Sequence, residues 1–304
     1  MALTVTQPLL KDFGIDLNKR QVYISQNDQK ISDHDFAGKV IDTLAEAENM
    51  YWDLVFSIED LKVKKTSLKR ARDLEKQVKA QVEVGTLAEL EILQAKSEVS
   101  SRDQQLLSAQ NLIEDNEDNL KNILNFSFDS EEGLKKIIPA DSPLFKLESS
   151  NSLENSLKAA LTHRPDLLAK KMELENRNIE VKNNENQLLP TLDLVTSLGL
   201  NGLSGDSTTT NGSYNQALSE TFSSKFGLWG FGLNLSYPIG NRAAKSKLTS
   251  KRLQVSKLLL EIKDLEQNIV VEVREAHRQI KTDIKRVQAT KVSQKLAEEK
   301  LNAE

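Results

Sequence analysis

With 304 residues, 41 Lys+Arg against 45 Asp+Glu and a net charge of −4, the chain can hold one large or two ordinary domains and offers no basic footprint for nucleic acid. It has no cysteine, which excludes thiol catalysis, zinc–thiolate clusters and a disulfide framework. Aromatic residues at 5% and charged residues at 28% suit long exposed helices better than a compact globule, and no apolar run is long enough for a transmembrane helix.

Residues 2–9 alternate with period two: Leu3, Val5 and Gln7 face one way, Thr4 and Thr6 the other, and Pro8 ends the strand. After a polar stretch, Ser32-Asp33-His34-Asp35 reads as a capping box that opens a long helix at residue 33. Phe36, Val40, Leu44, Ala47, Tyr51, Leu54, Ile58 and Leu61 then recur at steps of three and four, the heptad spacing of helices packed side by side. A second stripe, Ala37, Ile41, Ala45, Trp52 and Val55, predicts neighbours on two sides, as in a cylinder of helices. Leu68, Ala71, Leu74, Val78 and Val82 carry the helix on to Glu83. At Val84-Gly85-Thr86-Leu87-Ala88 the chain turns. Gly85 supplies a left-handed cap, and Thr86 with Glu89 reads as the next capping box. The return helix carries Leu90, Leu93, Val99, Leu106, Leu112, Leu120 and Ile123, so a helical hairpin is predicted over 33–125 with its tip at 84–88. Residues 126–150, with Pro139 and Pro143, form a connector.

Helix is predicted again over 151–187, broken at His163-Arg164-Pro165-Asp166, where Pro165 suits a first turn and Asp166 the positive end of a helix dipole. Two strands follow, 190–203 and 226–239, around a Ser-, Thr-, Asn- and Gly-rich segment, 204–225, that reads as an external loop. In the first strand Leu192, Leu194, Thr196, Leu198 and Leu200 share a side against Asp193, Ser197 and Gly199. In the second, Trp229, Phe231, Leu233, Leu235 and Tyr237 oppose Gly230, Gly232, Asn234 and Ser236. A bulky apolar face behind a small polar one fits either a tilted bilayer-crossing strand or a hairpin covering a soluble core. The membrane reading puts Leu192, Leu194, Leu198, Trp229, Phe231, Leu233 and Leu235 against lipid. Asp193, Ser197, Asn234 and Ser236 then face water. A last long helix, 243–304, repeats the heptad spacing through Val255, Leu258, Ile262, Leu265, Ile269, Val273, Ala276, Ile280, Ile284 and Val287.

The chain also repeats itself. Thr4-Val5-Thr6-Gln7-Pro8-Leu9 matches Asn234-Leu235-Ser236-Tyr237-Pro238-Ile239, and Ala47, Leu54, Ile58 and Leu61 fall opposite Val273, Ile280, Ile284 and Val287 at one offset. Strand, long helix, turn and return helix thus form a unit, with one copy in 1–150 and a second in 151–304. The second copy lacks its turn and return helix, and Met1 leads directly into strand-like sequence rather than a signal peptide, so the sequence reads as a fragment.

Arg164-Pro165-Asp166-Leu167, Leu189-Pro190-Thr191-Leu192, Ser236-Tyr237-Pro238-Ile239 and Tyr51-Trp52-Asp53-Leu54, with the turn at Gly85 and Leu93-Gln94-Ala95 beyond it, resemble in order and spacing the TolC family of outer-membrane efflux and secretion channels. The resemblance implies a mainly α fold with a small β part: coiled-coil helices forming a periplasmic tunnel and strands forming a trimeric outer-membrane barrel. It implies a homotrimer, a passive conduit in a tripartite efflux pump or type I secretion system. The periplasmic adaptor, and through it an inner-membrane pump, would meet the tip at Val84, Gly85, Thr86 and Leu87. Glu91 stands where the family usually has Asp. A coiled-coil periplasmic adaptor or structural scaffold is the alternative, although no compact lipoyl-like or barrel domain accompanies the hairpin. His34, His163 and His277 are far apart without ligand-spaced partners, and no nucleophile–base pair or phosphate loop is present, so neither metal, cofactor nor catalysis is expected.

Overall fold

The computed structural model describes residues 2–127, 131–141, 152–202, 212–223 and 227–303. Its elements are β1 (Ala2–Pro8), α1 (Ile15–Asn18), α2 (Arg20–Glu83), α3 (Glu89–Ile123), α4 (Glu131–Leu134), α5 (Leu153–His163), α6 (Pro165–Asn186), β2 (Thr191–Leu200), α7 (Tyr214–Phe222), β3 (Gly227–Ser236) and α8 (Arg242–Ala303). The fold is mainly helical with one small antiparallel sheet. It packs as two units, one of residues 1–36 with 151–304 and one of residues 37–150.

In the first unit the sheet runs in the order β1-β2-β3. The central strand β2 pairs with β1 from Ala2↔Gly199 to Pro8↔Asp193, and with β3 from Thr191↔Ser236 to Leu200↔Gly227. Pro8 cannot donate to a ladder, and it closes the edge strand where the chain leaves the sheet. The helical part has its core on α8. Leu258, Ile262 and Ile269 are buried with Leu167 of α6, and Ala160, Leu161, Leu174, Leu265 and Val273 close around them. The α8 members are the heptad stripe read from sequence. Each such side chain, fully buried, contributes roughly 1.5–3 kcal/mol.

The break between α5 and α6 follows from Pro165, which takes the first position of α6 and holds Arg164 in extended backbone. Arg164 then ties the start of α6 to α8. Its guanidinium pairs with Asp166 at 2.8 Å and also with Glu272, while Asp166 accepts the Leu167 N–H at 2.8 Å. Partial burial opposes ionisation of Asp166. The bonds from Arg164 and Leu167 outweigh it and hold the carboxyl below its ordinary range.

The long helix α2 begins at Arg20, not at residue 33. Ser32, expected as a cap, instead donates its hydroxyl to the Asp28 carbonyl one turn back, within the helix. The polar stretch before it is helical because α6 supplies partners. Asn27 donates to the Asn176 side chain at 3.0 Å, and Asn176, itself buried, donates to Asp28 at 2.8 Å. At 64 residues, α2 rises about 96 Å.

In the second unit α2 and α3 run antiparallel. Arg72 meets Asp103 at 3.4 Å, and Asn116 donates to the Asp53 carbonyl at 3.3 Å. Leu54, Val55, Ser57 and Leu68 of α2 are buried, as are Ala109, Glu117, Leu120 and Lys121 of α3. Glu117 and Lys121 form a buried ion pair at 2.8 Å, and Glu117 also accepts the Ile137 N–H, which holds the connector after α4 against α3. Tyr51 donates to Asp141 at 2.9 Å and fixes the connector to α2 as well. Much of the predicted stripes stays exposed, including Phe36 at 72% in the first unit and Leu44 at 65% in the second.

Candidate membrane face and helix-turn tip

The sheet register merges three separate alternations into one two-sided surface. Directly opposed residues share a face, and the opposed pairs include Leu192↔Leu235, Leu194↔Leu233, Thr196↔Phe231 and Leu198↔Trp229 between β2 and β3. Across the other ladder, Leu3 opposes Leu198 and Val5 opposes Thr196. All the leucines and aromatics read as lipid-facing therefore lie on one side. Asp193↔Asn234, Ser197↔Gly230 and Thr191↔Ser236 pair on the other, with Thr4 and Thr6 beside them, so the residues read as water-facing are also brought together. Ala2, Pro8, Val195 and Leu228 are the apolar residues on that side.

The apolar face is open. Trp229 is 74% exposed, and Phe231, Leu233, Leu235 and Tyr237 are similarly bare. Trp229 and Phe231 sit edge to face, with ring centroids 5.6 Å apart. β2 and β3 are ten residues each, the length of a tilted strand spanning a bilayer. Among the described residues no helix is long and apolar enough to cross a membrane.

Residues 214–222 of the expected external loop form the helix α7, while 203–211 and 224–226 lie outside the described residues. Gly202 permits this helix. A Cβ there would fall 2.0 Å from the Ala217 carbonyl oxygen and 2.2 Å from the Thr221 hydroxyl, so only glycine lets α7 lie against the strand end. The loop composition concealed α7, because its contact is made by backbone at a residue with no side chain.

The tip is built by Gly85 at φ +79°. Its N–H donates to the Val82 carbonyl at 2.9 Å, and the Thr86 N–H reaches the Gln81 carbonyl at 2.9 Å, the paired bonds of a Schellman cap. Thr86 is thereby used up in ending α2. Its hydroxyl donates to Gln81 rather than capping α3, whose N-cap is Ala88 without a side-chain bond, so the predicted Thr86–Glu89 capping box does not form. Glu89 and Glu91 lie in the first turn of α3, where carboxylates complement the helix dipole. Val84 is 75% exposed, and Leu87, Leu90 and Leu93 are exposed with it. The space around Gly85 is open, for a Cβ there would meet nothing within 4 Å.

The sequence profile of the family described as outer membrane efflux protein matches residues 1–125 and 156–304. The chain belongs to that family. Its fold is also that of solved outer-membrane channels. The outer-membrane channel OprN superimposes with a TM-score of 0.64 at 16% identity, covering 90% of this chain and 63% of OprN. The outer membrane protein VceC from Vibrio cholerae gives 0.64 at 16% identity over 88% of this chain and 58% of its own. The Campylobacter jejuni CmeC outer membrane channel gives 0.59 at 17%, over 87% and 58%. The chain thus spans about six-tenths of the length of these structures. A comparison with curated protein sequences finds no match. Membership in the outer membrane efflux protein family sets the chain among efflux proteins, not enzymes.

Proposed function

We propose that the chain forms part of the wall of an outer-membrane efflux conduit. In this reading the β1-β2-β3 sheet lies in the outer membrane with its leucine and aromatic face toward lipid, and the α2–α3 hairpin projects into the periplasm. The observation that carries it is the register that gathers Leu3, Val5, Leu192, Leu194, Leu198, Trp229, Phe231, Leu233 and Leu235 on one side, where all but the half-buried Leu192 and Leu194 are exposed. Hydrocarbon does not accept open sheet edges, and β1 and β3 are both edges among the described strands. Strands from further copies of the chain would close the sheet into a barrel, most simply as a homotrimer. The exposed heptad stripes on α2, α3 and the distal part of α8 would pack against helices of the same neighbours. The internal repeat, 1–150 and 151–304, fits such a ring of similar hairpins.

The Gly85 turn, with exposed Val84 and Leu87 and with Glu91 behind it, would receive a periplasmic adaptor that couples the conduit to an inner-membrane pump. Single cysteines placed in the membrane-embedded protein test the orientation. Residues 197 and 234 should label with a water-borne thiol reagent, and residues 194 and 233 should label only with a lipid-soluble one. The reverse pattern would overturn the reading.

A further inference from the structure

A cavity of about 580 Å³ lies where the strands run into the helices, reached by Thr191 at the start of β2 and Pro238 just after β3. Its walls carry Lys11, Arg20 and Lys247, against one carboxylate, Asp12, so its formal charge is +2 (three cations less one anion). Asp12 is already engaged: its carboxylate accepts from Gln187, and its N–H donates to the Asn186 side chain at 2.7 Å. Arg20 spends one nitrogen on the Leu17 carbonyl at 2.8 Å. Lys11 and Lys247 have no ion pair among the described residues, whereas Lys251, Arg252 and Lys257 further along α8 each meet a glutamate. Asn184, only 5% exposed, lines the same space with one amide hydrogen bond, to the Glu180 carbonyl.

We propose that this cavity is a binding site for a phosphate-bearing anion. The volume falls within the range of small-ligand sites. The uncompensated ammonium groups supply charge-assisted donors. The first turn of α8 adds backbone N–H groups at the positive end of a long helix dipole. Where the sheet is embedded as proposed above, this end of the strands lies at headgroup depth, and the anion is the phosphate of an acidic lipid. The inference about the lipid source rests on that reading. The anion site itself rests on the cavity alone.

The experiment uses the purified chain in neutral detergent, titrated with water-soluble dihexanoyl phosphatidylglycerol, dihexanoyl phosphatidylcholine and inorganic phosphate, with binding followed by calorimetry. Phosphatidylglycerol should bind, and Lys11→Gln/Lys247→Gln should weaken it by about tenfold or more. Lys65→Gln/Lys69→Gln on α2 should leave it unchanged. Lys247 is exposed, so Lys247→Gln alone preserves the fold and should lose part of the affinity, with Lys247→Arg restoring it. Phosphatidylglycerol bound well ahead of phosphate and phosphatidylcholine supports a headgroup site. Equal binding of inorganic phosphate supports the anion site and assigns it to the free ion. No binding, or affinity untouched by either variant at Lys247, overturns the proposal. Such a failure beside correct cysteine labelling of the strands would leave the membrane reading standing.

Discussion

At the scale of single residues, two charged groups fix local structure by different means. Asp166 is held ionised by Arg164 and the Leu167 N–H, so its folded value is depressed. A depressed carboxylate contributes stability above its unfolded value and loses it as pH falls through the folded one. Wild type should therefore lose stability on acidification below about pH 4 more steeply than Asp166→Asn, as read by urea midpoints across the acid range. Glu117 is a costlier case, because it and Lys121 are buried together. Glu117→Ala would strand the Lys121 ammonium and should destabilise the second unit by about 3–5 kcal/mol. Glu117→Leu with Lys121→Met should recover most of that loss in the same urea titration. The i,i+4 spacing of Glu117 and Lys121 is readable in the sequence, but their burial is not. Arg164-Pro165-Asp166 was legible as a helix start, but Glu272 lies more than a hundred residues away in sequence. Lys11, Arg20 and Lys247 were silent for the same reason.

At the scale of elements, the strands were the most legible part. Period-two alternation is strong when one side is all leucine and aromatic, and it located β2 and β3 to within a few residues of their observed ends. Helix beginnings were less so. Sequence rules seek a side chain that caps, yet α2 starts upstream of its apparent cap and α3 starts with Ala88. The sheet also sets a sharp test of its two faces. If the Leu233 side meets hydrocarbon, Leu233→Lys should cost roughly 2–4 kcal/mol of barrel stability at mid-depth, while Ser197→Lys on the opposite face should cost far less. Reversible unfolding of the folded protein from lipid vesicles measures both. Equal costs would remove the distinction between the faces.

At the scale of the whole molecule, the tip offers the cleanest separation of assembly from traffic. Gly85→Trp places bulk where the chain itself leaves open space, at a strain cost of about 1–2 kcal/mol for a non-glycine residue in left-handed backbone. If the turn receives an adaptor as proposed, outer-membrane oligomers should persist at normal abundance while export stops. Continued export, or loss of the oligomers together with it, would make the turn structural only. The sheet carries another consequence, one of time. The Gly85 turn joins neighbours in sequence, whereas β1 must find β2 across nearly two hundred residues, Ala2 against Gly199. Closing so large a loop costs entropy before any ladder bond repays it, and such distant pairings are slow. On dilution of a Trp52→Phe variant from denaturant, helical ellipticity should return well before the fluorescence of Trp229, then the one remaining tryptophan, settles. Until that second event, the chain would carry its stickiest surface without a place to put it.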